Sequence, residues 1–179
     1  MKRGPLPMQF FTPERIRARR SLPPVLFHWT RGLESALKIL AEGVLRGRPL
    51  ISTSENPALI SPGPVVFVLS PKAILARGFT LWPYLYASGY EQEAEWVVAA
   101  KDAEQDGGHI FSDRVLLPLR GVVRMIGYTP GWTDPARRDR ARALRAAARR
   151  LDLPVRIYEW ERWWDAGAKV ARRNPGRRS

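Results

Sequence analysis

Apolar and polar positions along this chain fall into short blocks that switch between two periods. "VLFHWT" at residues 25–30 is a compact apolar run of strand length. In "RGLESALKILAEGVL", Leu33, Ala36, Leu37 and Leu40 recur at helical spacing, and Gly43 is a natural stop. "PLISTSENP" at 49–57 predicts a strand running into a turn closed by Asn56-Pro57. "PVVFVLS" at 64–70 predicts a strong strand, and Pro71 opens a short helix, "PKAILARG", that Gly78 ends. Residues 79–92, "FTLWPYLYASGYEQ", are expected to form a loop. They carry four aromatics between Trp82 and Tyr90, and long loops inside a compact domain often serve function.

The pattern resumes with "EAEWVVAA" at 93–100, the next strand. "KDAEQDGGHI" is a polar turn in which His109 is a turn residue, and "DRVLLPLRGVVRMIGY" at 113–128 gives one or two strands broken near Pro118 and Gly121. The character then changes. "TDPARRDRARALRAAARRLDLP" starts from an N-cap at Thr133 or Asp134, with Pro135 in the first turn. Ala141, Leu144, Ala148 and Leu151 make an apolar stripe, while Arg138, Arg142, Arg145 and Arg149 make a basic one beside it. "VRIYEWERWWDAGAKVA" is expected to be a strand turning into a helix, and "RRNPGRRS" a disordered basic tail. Strands in the middle, an early helix and helices at the end give an α+β class.

Length allows one domain with appendages. The divisions are an extended, proline-interrupted basic arm at 1–24, a core at 25–130, an Arg-rich helical extension at 131–171 packed on or beside the core, and a basic tail at 172–179. No apolar stretch nears the roughly 20 residues that cross a bilayer. The N-terminus lacks the apolar core of a secretory signal. With no cysteine the chain has no disulfide and no thiolate metal site, and two histidines make a zinc site improbable, so no metal is expected. The lack of cysteine suits a reducing cytoplasm.

Charge alters the picture. The formal net charge is +13, but it is carried by the two ends. Residues 1–20 hold six bases and one acid, and residues 135–179 hold fourteen bases and five acids. The middle is close to neutral. Basic ends on a neutral core point to a polyanionic partner, because phosphate contacts supply much sequence-independent affinity. Arg138 and Arg142 stand one turn apart, as do Arg145 and Arg149, so the four are candidate contacts to the phosphates of DNA or RNA. The plainer alternative is an amphipathic helix whose arginines face water.

Against this basic background, Glu91, Glu93 and Glu95 stand at every second position in "YEQEAEWV". Period-two alternation would set them on one face of a strand, where like charges repel. A solvated acidic edge is the ordinary explanation.

The order "FHWT", "ILAEG", "ISTSENP", "VVFVL" and "EAEW", over residues 25–128, resembles that of small ADP-ribosyltransferase-like proteins of phages and prophages. The resemblance implies an ADP-ribosyltransferase-like split antiparallel β-sheet core and NAD as substrate. By resemblance, Glu95 would stabilise the cationic ribose formed when the nicotinamide bond breaks, as in glycoside hydrolysis. Glu93 would orient or deprotonate the acceptor. His28, Thr30, Ser52 and Thr53 would line the dinucleotide site, with Ser52 bracing Glu95 and Arg31 meeting the pyrophosphate. The chain departs from the His-containing branch in offering Ser or Thr where a Tyr usually stacks on nicotinamide. Tyr84, Tyr86 or Tyr90 is expected to stack in its place. The acceptor implied is nucleic acid or a nucleic-acid-bound protein. The alternative is a catalytically inactive relative, a phage nucleic-acid-binding or virion-associated module. An RNA 2′-phosphotransferase-like enzyme of the same fold is a third reading, disfavoured by the acidic triplet.

Overall fold

The computed structural model describes residues 22–47, 50–54, 64–84, 95–106, 109–111, 114–130 and 134–158. The arm before residue 22, Glu93, Tyr86, Tyr90 and the segment after Tyr158 lie outside the described residues.

Eleven strands and three helices are described: β1 Leu26–Thr30, α1 Leu33–Glu42, β2 Val44–Gly47, β3 Ile51–Ser54, β4 Val65–Leu69, α2 Pro71–Ala76, β5 Thr80–Tyr84, β6 Glu95–Ala99, β7 Glu104–Asp106, β8 His109–Phe111, β9 Val115–Pro118, β10 Val123–Tyr128, α3 Arg137–Arg149 and β11 Val155–Ile157. Seven strands form one sheet in the order β11-β10-β4-β1-β3-β6-β5. Every pairing in it is antiparallel except β10 with β11. The class is α+β with a mostly antiparallel sheet.

The β4 run "VVFVL" lacks polar alternation because both of its faces are covered, and all five residues are buried. Val65, Phe67 and Leu69 join the main core, together with Ala36 and Leu40 of α1 and Ala141, Leu144 and Ala148 of α3. Val66 and Val68 point the other way, into a second cluster with Val25, Phe27 and Met125. The apolar stripe of α3 thus belongs to the core that α1 and the sheet share. Burying Leu144 fully contributes about 1.5–3 kcal/mol.

Local signals act as their chemistry requires. Gly43 caps α1 in the left-handed region at φ 69°, and its N–H donates to the Ile39 carbonyl at 2.9 Å. The Ser70 hydroxyl caps α2 by accepting from the Ala73 N–H at 3.3 Å. Asp134 accepts from the Ala136 N–H at 3.0 Å, but α3 begins later than expected: its N-cap is Ala136, with no side-chain cap bond, and Pro135 precedes the helix.

Two expected loops are strands instead. The supposed loop at 79–92 begins as β5, an edge strand; Pro83 is tolerated there because an edge leaves one row of N–H groups unpaired. The polar turn near 101–110 is a hairpin of β7 and β8, with Asp106 opposite His109. Val44 and Leu45, just past the Gly43 stop, form β2 with their partners in β9. Each of these strands is three to five residues long, too short to show its period.

Candidate functional site

Two regions gather the residues singled out above. The first is the junction of β1 and β3. β1 runs beside β4 through five partner pairs from Leu26–Leu69 to Thr30–Val65. It meets β3 in register only at Phe27–Ser54. The sheet therefore splits into a β1-β4-β10-β11 half and a β3-β6-β5 half, joined near that pair.

His28 sits where the halves part. It is half-buried, and its Nδ1 lies 2.8 Å from the Ser52 carbonyl oxygen. A carbonyl oxygen carries no proton, so Nδ1–H is the donor. Burial holds the imidazole below its usual value, outweighing the carbonyl bond that raises it. The neutral ring then has its acceptor lone pair on Nε2, where it suits a hydroxyl donor.

The neighbouring hydroxyls are engaged within the fold. Thr30 is 4% exposed and donates to the Gly32 carbonyl at 3.1 Å and the Val65 carbonyl at 3.3 Å. Thr53 is 3% exposed and donates to the Trp96 carbonyl at 2.7 Å. Both hydroxyls bridge neighbouring strands, Thr30 from β1 to β4 and Thr53 from β3 to β6. Ser52 and Arg31 are exposed.

Glu95 opens β6. Its backbone partners are Ser54 on β3 and Tyr84 on β5. Ser52 pairs with Val97 instead, two residues further along. The serine in position beside Glu95 is thus Ser54, which is 2% exposed. The sequence offered both serines, and only strand register separates them. The same register sets Glu95 in the row of Phe27 and Ser54, one residue out of step with His28.

The second region is a groove along α3. Arg137, Arg138, Arg142, Arg145 and Arg149 line it, with Ala141 and Ala146 between them and Pro130, Ile157 and Tyr158 on the other side. Its volume is about 880 Å³. All four arginines of the expected basic stripe come together here. The cause is helical geometry: with Ala141, Leu144 and Ala148 buried, positions 138, 142, 145 and 149 turn outward.

Among the described residues, carboxylates do little to quench this charge. Arg140, outside the groove, pairs with Asp134 at 3.1 Å. Arg142 meets Asp139 at 3.4 Å, but both side chains are about four-fifths exposed, where such pairs are weak. No acid is among the groove's described lining residues. Ile157 and Tyr158 escaped the sequence reading as site residues. Their signal was the strand of "VRIY" following directly on the arginine helix.

Among the described residues no cluster of three or more His, Cys, Asp or Glu has metal-site geometry, and no helix is long and apolar enough to cross a membrane. No family model matches the chain, and a search of curated proteins finds no relative.

Proposed function

We propose that this protein binds nucleic acid through the α3 groove. The observation that carries this is five arginines lining one concavity with no carboxylate among its described lining residues. A guanidinium is always charged and forks onto phosphate oxygens. Several on one wall act together and displace condensed counterions from a polyanion. The test is binding of a fluorescent oligonucleotide across a salt series. Binding that weakens linearly in log–log form supports the proposal; no binding at low salt ends it.

A second reading concerns the β1–β3 split. It is mono-ADP-ribosyl transfer from NAD, with nucleic acid or a nucleic-acid-bound protein as acceptor, in a fold like that of the ADP-ribosyltransferases. The favouring observation is the neutral His28, held by Ser52 with its Nε2 as an acceptor for a sugar hydroxyl. The two-halved antiparallel sheet is compatible with that fold. In this chemistry the bond between nicotinamide and ribose breaks, and nicotinamide leaves with the electron pair. The acceptor nucleophile bonds to the anomeric carbon and gives up its proton, the role proposed for Glu93. Glu95 is the carboxylate proposed to face the cationic sugar. Release of nicotinamide from NAD in the presence of oligonucleotide is the direct assay.

A further inference from the structure

The two walls of the α3 groove differ in chemistry. One is a row of arginines at 138, 142, 145 and 149, spanning about 16 Å at 1.5 Å per helical residue. The described residues of the other are Pro130, Ile157 and Tyr158, which carry no charge and one aromatic ring. Ile157 is 39% exposed on the edge strand β11, and Tyr158 is half-buried, its N–H bonded to the Tyr128 carbonyl at 2.9 Å. That bond fixes where the ring begins.

We infer that this groove takes a single strand of DNA or RNA, its phosphates following the arginines and a base lying against Tyr158. The inference rests on the nucleic-acid reading above and narrows it. A duplex presents phosphates on its outside and keeps its base faces stacked within, so it would engage the arginines and leave the opposite wall without a partner. A single strand offers both a charged edge and open π faces, the pair of features that a cationic groove with an aromatic platform recognises. Shape agrees. Here the arginines form one side of a concavity whose volume of about 880 Å³ suits a few nucleotides. A helix that reads a duplex instead protrudes into the major groove. The alanines among the arginines of α3 leave room for the chain.

The test uses the full chain and four fluorescent or competing probes: a 12-mer DNA strand, the RNA strand of the same sequence, the DNA duplex, and inorganic polyphosphate. The expected result is that one or both single strands bind at least tenfold tighter than duplex and polyphosphate. Tyr158→Leu, which keeps an apolar side chain against Met125, is expected to weaken strand binding roughly tenfold while leaving polyphosphate unchanged. Its thermal unfolding verifies the fold, and Ile157→Ser on the exposed edge gives a second, smaller loss on the same wall. The relative affinity of the DNA and RNA strands identifies the sugar preferred. Equal binding of strand and duplex, or of strand and polyphosphate, overturns the inference while leaving the groove a polyanion site. Binding to none of the probes overturns both it and the nucleic-acid reading.

Discussion

His28 donates from Nδ1 to the Ser52 carbonyl across the line where β1 and β3 separate, at 2.8 Å. The bond ties the two halves of the sheet together just beyond their single register pair, and it selects one tautomer of a half-buried ring. The state of that imidazole is therefore coupled to the stability of the split.

The coupling has a definite sign. Burial lowers the folded-state value of His28 below the unfolded value of about 6.5. The unfolded chain therefore takes up the proton first, and stability falls as pH drops below about 6.5. His28→Asn supplies an amide donor for the Ser52 carbonyl but does not titrate. Between pH 7.5 and 5.0 the melting temperature of the natural protein is expected to fall relative to that of the variant. Parallel profiles would show that His28 is not held neutral by its surroundings.

Arg142→Gln combined with Arg145→Gln removes two cations from the centre of the groove without touching the core, since both side chains are exposed. Oligonucleotide affinity is expected to drop, and the salt slope to flatten by roughly 0.7–0.9 for each lost contact. Thermal unfolding is expected to stay unchanged. Undiminished binding by this double variant moves the interface elsewhere.

Leu144 and Arg145 are adjacent on α3 and opposite in consequence. Leu144→Ala empties a site with no solvent exposure and is expected to cost about 2–5 kcal/mol in denaturant unfolding. Arg145→Ala is expected to stay within about 0.5 kcal/mol. If the two variants unfold alike, α3 does not share the core.

Glu95→Gln addresses the enzymatic reading. If that carboxylate stabilises the sugar cation, nicotinamide release is expected to fall by two or more orders of magnitude, as when a developing charge loses its partner. Oligonucleotide binding at α3 should be intact. Equal release by both proteins removes Glu95 from the chemistry.

The chain's own periodicities determined a good part of this protein. The β4 run, the Leu33–Leu40 spacing closed by Gly43, and the two stripes of α3 were legible because each is a local rule: alternation, helical repeat, or the freedom of glycine at positive φ. The basic groove was half legible. Helical spacing put four arginines on one face, but Ile157 and Tyr158 became its other wall only when β11 docked parallel to β10. The short strands β2, β5, β7 and β8 carried no period of their own and exist through their pairings.

Tertiary structure alone decided which serine stands beside Glu95, because a shift of one residue exchanges the faces of a strand and a shift of two changes the neighbour. It also engaged the Thr30 and Thr53 hydroxyls with carbonyls, which no composition or motif reveals. Side-chain identity is written in the sequence. Which of those side chains meet is set by long-range strand register, and that depends on the whole core packing at once.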